Sequence, residues 1–188
     1  MNETIKTILN RRSIRKFKPE QLKTEELQII LEAGKYAPTA MNQQPWHFTV
    51  IQSQEILNKI NEACKKVLIK TGNRRFEQLS KGADGKNISV MHNTPVLIVV
   101  SGDQNSITPQ IDCALAIQNM FIAAESLGIG SCWIHAIYHL YSDAEGKEFL
   151  INEGIIPKDY VLAGSCAFGY KAIEPQAPPR KDDVVTFI

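Results

Sequence analysis

Two spacings of apolar residues alternate along the chain, and together they divide it into helices and strands. Apolar residues recur every three to four positions after Thr24, which predicts a helix with Thr24 as its N-cap that ends before Pro38. A second amphipathic helix is predicted over about 53–70. Residues 110–127 are apolar on nearly all sides, which predicts a buried helix capped by Gly128.

Short apolar runs between these helices predict strands, and a shorter helix is predicted over 144–154. The runs lie at 47–51, 95–100, 129–134 and 160–168. The run at 95–100 is continuously apolar, which is typical of a strand covered on both faces. The polar, glycine-punctuated segment 73–87 predicts a loop. The order of elements predicts an α+β fold in one domain spanning 1–188.

The C-terminal residues 172–188 are predicted to form an extended arm. Three prolines within 174–181 exclude regular structure there, and a short β-like run follows at 184–188. So long a proline-rich arm has little of its own chain to pack against, so it would be ordered more readily by lying across a partner subunit.

Composition excludes several classes of protein. A net charge of +1 gives no argument for nucleic-acid binding. No apolar stretch approaches the roughly 20 residues of a membrane span, and residues 1–6 lack the apolar core of a signal peptide. The four cysteines form no Cys-x-x-Cys pair, which argues against a zinc site and a disulfide framework. We therefore expect a cytoplasmic protein with reduced thiols.

Positive charge is concentrated in the basic segment, residues 11–15. Three arginines and Ser13 fall within these five positions of a nearly neutral chain. The planar fork of arginine donates paired hydrogen bonds to phosphate, so the segment indicates an anion site. The alternative on these residues alone is a solvated basic turn.

A second dense segment, the amide loop of residues 38–46, falls between a predicted helix and a predicted strand. Asn42 and Gln44 carry amides that both donate and accept, beside Trp46 and its preceding proline. Such amides suit the edge of a heteroaromatic ring or a sugar hydroxyl. The alternative is a rigid turn whose amides satisfy the backbone.

Four motifs in order resemble the FMN-dependent nitroreductase family over the whole chain. They are the basic segment, the amide loop, the helix end at 123–131, and residues 168–170 followed by 178–181. The resemblance implies an α+β sandwich whose mostly antiparallel central sheet is flanked by helices. It also implies a homodimer with FMN at the interface and the C-terminal arm exchanged between subunits.

The activity implied by the resemblance is that of a flavoprotein oxidoreductase. NADH or NADPH would deliver hydride to flavin N5 and leave, and a nitroaromatic, quinone or similar electron-poor acceptor would then be reduced in the same pocket. The flavin carries this chemistry, so no side chain is essential as a catalyst. His135 is a possible pocket residue or proton donor.

The resemblance also implies a role for each matching residue. Arg11, Arg12 and Ser13 would hold the FMN phosphate or ribityl chain, and Arg15 would lie by the N1 and O2 edge of the ring. The partner subunit would contribute Pro38, Thr39, Asn42 and Gln44. A backbone N–H facing N5 would come from the run Trp133, Ile134, His135 and Ala136. Arg180 and Lys181 would return to the phosphate, and Asn87 is a candidate flavin contact.

Other functions remain open at this point. A specialised member of the same family could reduce enones, dehalogenate a substrate or oxidise a heterocycle. A non-enzymatic basic arm for nucleic acid or anionic lipid is a third hypothesis. His135 and His139 would share a helix face as metal ligands do, but no third ligand stands at matching spacing and His135 is predicted to end a strand.

Overall fold

The computed structural model describes residues 1–72, 74, 78 and 89–188. Asn87 and most of the predicted loop 73–87 lie outside the described residues. The helices are α1 Glu3–Asn10, α2 Thr24–Lys35, α3 Gln54–Lys70, α4 Pro109–Ser126, α5 Ala136–Ser142 and α6 Ala144–Asn152. The strands are β1 Trp46–Ile51, β2 Val96–Asp103, β3 Ile129–Trp133 and β4 Tyr160–Tyr170.

The strands form one antiparallel sheet in the order β1-β2-β4-β3, which confirms the predicted α+β class. β2 and β4 are the central pair, and their register shifts between Val100 and Ser101. None of the described helices is both long enough and apolar enough to cross a membrane.

Both faces of the sheet are covered, and the period of two along β2 divides its side chains between the two cores. Leu97 and Val99 belong to the core that contains α3, α5 and α6. Ile98 and Val100 belong to the core formed with α2 and α4. Every residue from Val96 to Val100 is fully buried, which confirms the reading of this run as a doubly covered strand.

Helix α4 departs from its prediction because only one side of it is buried. Its residues Cys113, Ile117 and Met120 pack in the core. On the opposite side Ile111 and Leu115 are 63% and 42% exposed. The prediction of a buried helix is therefore wrong for the single chain, since the sheet and α2 cover one face only.

Three local predictions are also corrected. Thr24 is the first residue of α2 and Lys23 is the cap, because the Glu26 carboxylate accepts the Lys23 backbone N–H at 3.1 Å. His135 does not end a strand, since β3 ends at Trp133 and His135 is the N-cap of α5. Residues 184–188 form no strand and are exposed.

Candidate functional site

The basic segment is fixed by strand β3. Ser13 and Ser131 form a parallel bridge, and the Ile14 N–H donates to the Ser131 carbonyl at 2.9 Å. The Ile14 side chain is buried directly over Gly130, where a Cβ would lie 3.0 Å from it. Because the side chains of an extended chain alternate, burial of Ile14 turns Ser13 and Arg15 to the other face.

A cavity of about 290 Å³, the basic cavity, lies beside this segment. Its lining residues are Arg11, Arg12, Ser13, Arg15, Pro175, Gln176, Pro178 and Arg180. Four of these side chains are guanidinium groups and none is acidic. So much unneutralised positive charge around one small space suits a multiply charged anion such as a phosphate ester.

The arginines of the basic cavity have different surroundings. Arg12 Nη1 donates to the carbonyls of Leu9 at 2.6 Å and Arg11 at 2.8 Å, so this side chain closes the C-terminal end of α1. The Arg11 guanidinium lies 5.7 Å from the ring centroid of Phe121, and this cation–π contact orients the side chain. The Arg15 side chain is exposed.

Arg180 reaches the basic cavity because the root of the C-terminal arm is joined to residues 16–18. The Ala172 N–H donates to the Lys16 carbonyl at 3.1 Å, and the Lys18 N–H donates to the Tyr170 carbonyl at 2.9 Å. The arm then passes over the cavity as far as Arg180. Lys181 is exposed and does not line this cavity.

Cys132 is buried in β3, one residue after Ser131, which pairs with Ser13. Burial raises the pKa of its thiol, while Arg15, the Ser13 hydroxyl and Arg11 act in the opposite direction. The net shift is upward, so this thiol stays protonated at neutral pH.

The amide loop holds an uncommon backbone. Met41, Asn42 and Gln44 have positive φ angles of 51°, 56° and 48°. The side chains of Asn42 and Gln44 are exposed and joined, with Gln44 Nε2 donating to Asn42 Oδ1 at 3.0 Å. Pro38, Thr39, Asn42 and Gln44 do not line the basic cavity of their own chain.

Ser13 and Ser131 are paired in a parallel bridge, so two residues further along each chain Arg15 is in register with Trp133. The run from Trp133 to Ala136 begins at this point. Trp133 is 41% exposed, and its indole lies against Gly164, where a Cβ would be 2.4 Å from the ring. Ile134 is buried, and its N–H donates to the Ser165 carbonyl at 2.8 Å.

His135 belongs to an aromatic group at the start of α5. Its ring stacks on Tyr138 with centroids 5.1 Å apart, and the rings of His135 and His139 form a T-shaped pair with centroids also 5.1 Å apart. Burial, and then the charge of His135, lowers the pKa of His139. In the part of the chain that the structure describes, no three His, Cys, Asp or Glu side chains are arranged to hold a metal ion.

Two residues near the site were missed by sequence reasoning. The sequence predicts that Phe121 is an ordinary core residue of α4, and its spacing gives no signal of the contact with Arg11. Asp112 reads as an acid in the first turn of a helix, where it would favour the helix dipole. Its hydrogen bond to the Ala40 N–H spans 72 residues and has no local signal.

The chain belongs to the nitroreductase family, whose model matches residues 8–170. A nitroreductase with bound FMN from Bacteroides fragilis superposes with a TM-score of 0.89 at 33% identity, covering 100% of both chains. A protein of Archaeoglobus fulgidus provisionally named NADH dehydrogenase/NAD(P)H nitroreductase is 33% identical, over 90% of this chain and 86% of its own. The FMN reductase (NADPH) of Bacillus subtilis is 33% identical over 73% of this chain and 55% of its own length.

Replacing Gly130 with valine should lift the basic segment off β3. The three nearest side-chain atoms of Ile14 lie only 3.0 Å from the position of the new Cβ, so they must move. We expect a loss of about 1–3 kcal/mol in the free energy of unfolding, measured by urea denaturation. The double variant with Ile14→Ala should recover part of that loss, and strictly additive effects of the two changes would contradict the contact.

Proposed function

We propose that this chain is an FMN-dependent NAD(P)H oxidoreductase that reduces small electron-poor acceptors such as nitroaromatics or quinones. The observation that carries the proposal is the basic cavity, where four guanidinium groups meet in a chain of net charge +1. The FMN of the Bacteroides fragilis relative and the names of the other two relatives support this cofactor and a nicotinamide donor.

The basic cavity suits the phosphate end of FMN. A charge-assisted hydrogen bond contributes roughly 1.5–3 kcal/mol, so two or three of them account for tight retention of a doubly charged group. Arg11 and Arg180 are the side chains best placed to supply them, with the Ser13 hydroxyl as a short neutral donor. Arg12 contributes with the N–H groups that it does not give to Leu9 and Arg11.

The ring end is expected at Arg15 and the end of β3. Ser13 and Arg15 are two positions apart in extended chain, a distance of about 7 Å. When bound, FMN supplies two-electron transfer between the nicotinamide and the acceptor. A backbone N–H for the ring would come from Trp133, His135 or Ala136, because the Ile134 N–H is already committed to the Ser165 carbonyl. Trp133 and His135 would then form the wall of the pocket.

A homodimer is part of the proposal. The apolar stripe, defined as Ile107, Ile111 and Leu115, is exposed just before and along the first half of α4, although the sequence of the helix predicts burial. Met41 in the amide loop is 85% exposed, and Val184, Val185 and Phe187 in the arm are exposed as well. A second copy covering the stripe would bury it and bring the amide loop to the flavin of the other subunit.

The purified protein should be yellow and should show the absorption spectrum of a bound flavin. NADH or NADPH should bleach that spectrum in the absence of oxygen, and a nitroaromatic or a quinone should restore it in a second, separate step. A colourless protein that takes up no added FMN would contradict the proposal.

Arg11→Ala and Arg15→Ala should have different effects. Loss of Arg11 should raise the dissociation constant of FMN at least about tenfold, since it removes a charged phosphate contact. Loss of Arg15 should instead lower the flavin reduction potential by about 30 mV or more, because a nearby cation favours the electron-rich state of the cofactor.

Lys16→Ala is the matched control for these two variants. It removes one positive charge directly after the basic segment, and the exposed Lys16 does not line the basic cavity. Fluorescence titration gives the affinity, and equilibration with a reference dye gives the potential. Equal effects of Arg11→Ala and Arg15→Ala on both quantities would contradict the division of roles.

Ile111→Asp should weaken the dimer, because it places a charge in the centre of the apolar stripe. The expected result is a monomer in sedimentation velocity at concentrations where the unaltered protein is a dimer. Ile69→Asp is the control, since Ile69 is 44% exposed at the end of α3 and lies outside the stripe. A dimer that persists in Ile111→Asp places the interface elsewhere.

A further inference from the structure

We propose that Asp112 is a positioning residue for the amide loop. Its carboxylate holds the loop in the left-handed conformation that presents Asn42 and Gln44 to the flavin. The part of this inference that concerns the flavin rests on the proposed function. The part that concerns the backbone of the loop stands on the hydrogen bonds and φ angles of this chain.

The conformation of the amide loop needs to be held. A non-glycine residue at positive φ costs of the order of 1–3 kcal/mol, and Met41, Asn42 and Gln44 all have this conformation within four positions. Such residues persist where the surrounding structure imposes them. Within the loop, the Gln44 N–H donates to Thr39 Oγ1 at 3.3 Å, which is one exposed and modest bond.

Three further bonds join the loop to a single region, residues 103–112. The Asp103 N–H donates to the Pro45 carbonyl at 2.9 Å, and the Ile107 N–H donates to Gln43 Oε1 at 2.9 Å. Asp112 Oδ2 accepts the N–H of Ala40, the first residue of the 3-10 turn Ala40–Asn42, at 3.3 Å. Asp112 is thus the side chain that fixes the start of the strained turn.

The burial of Asp112 indicates a role beyond helix stability. Asp112 is 3% exposed, and no described Lys or Arg forms an ion pair with its carboxylate. Its described side-chain partners are the Ala40 N–H and the Thr108 hydroxyl, which donates to Oδ1 at 3.0 Å. A carboxylate that interacted only with the helix dipole would have a lower desolvation cost at the surface, where water solvates it.

The position of Asp112 also relates the loop to the proposed dimer. Ile111, its neighbour in α4, belongs to the exposed apolar stripe. A carboxylate fixed on α4 therefore fixes the amide loop relative to the surface on which the second copy would sit. The amides of Asn42 and Gln44 would then reach the flavin of the other subunit in a set orientation.

The test compares Asp112→Ala with Asp112→Asn in the full-length protein. An asparagine can keep the bond to Ala40 with its oxygen and donate its amide to the Thr108 hydroxyl. Asp143→Ala is the control, because the Asp143 carboxylate accepts the Gly146 N–H at 3.0 Å at the start of α6, another helix N-terminus. Loss of the Asp143 carboxylate should lower the free energy of unfolding without changing the conformation of the amide loop.

The first readout needs no flavin. Hydrogen exchange measured by mass spectrometry on the FMN-free protein should be at least about tenfold faster in the peptide covering 39–45 of Asp112→Ala, which corresponds to about 1.4 kcal/mol. Asp112→Asn and Asp143→Ala should leave that peptide within about threefold of the unaltered protein. Equal exchange in Asp112→Ala and the unaltered protein would overturn the proposal, and so would equal acceleration in Asp112→Asn.

The second readout is the affinity for FMN and the visible circular dichroism of the bound flavin. Asp112→Ala should weaken FMN binding at least about fivefold and change the dichroism, while Asp112→Asn should restore both. An accelerated loop with unchanged flavin binding would overturn the role toward FMN. An unaltered protein that binds no FMN would defeat the proposed function, and the exchange measurement would still decide the backbone part.

Discussion

The contact between Ile14 and Gly130 is the constraint on which the site depends. Because position 130 has no side chain, the extended basic segment lies directly on β3, and the Ile14 N–H reaches the Ser131 carbonyl. This close contact sets the positions of Ser13 and Arg15 relative to the C-terminal end of β3. It also positions the first residues of the C-terminal arm, because residues 16–18 pair with Tyr170 at the end of β4 and with the residues after it.

The basic cavity places like charges close together, and the structure shows how that arrangement is tolerated. Arg12 is stabilised by hydrogen bonds to two carbonyls at the end of α1, where the helix dipole is negative. Arg11 lies against the face of Phe121, which favours a cation. Solvent relieves the repulsion among the remaining charges, and the proposed phosphate would relieve it further. Such an arrangement would exchange some stability for affinity.

Sequence reasoning succeeded where the signal was local. The apolar run 95–100 and the helical spacing after residue 53 gave elements that the structure confirms. The grouping of Arg180 with the basic segment came from the family resemblance rather than from a local signal; both line one cavity, and their role toward a phosphate stays a prediction. Sequence reasoning failed where the deciding contact is distant, as in the link from Asp112 to Ala40, which depends on tertiary docking. In the proposed dimer, the exposed side of α4 would be covered by a second copy, which the sequence of one chain does not describe.

The amide loop and the apolar stripe are therefore parts of one arrangement. The loop is bonded to residues 103–112, and the stripe begins at Ile107 within the same segment. A segment that is hydrogen-bonded to the loop on one side and exposes apolar side chains on the other would, in the proposed dimer, fix the loop relative to the partner subunit. The left-handed turn at Met41 and Asn42 would then direct its amides away from its own chain and toward the partner.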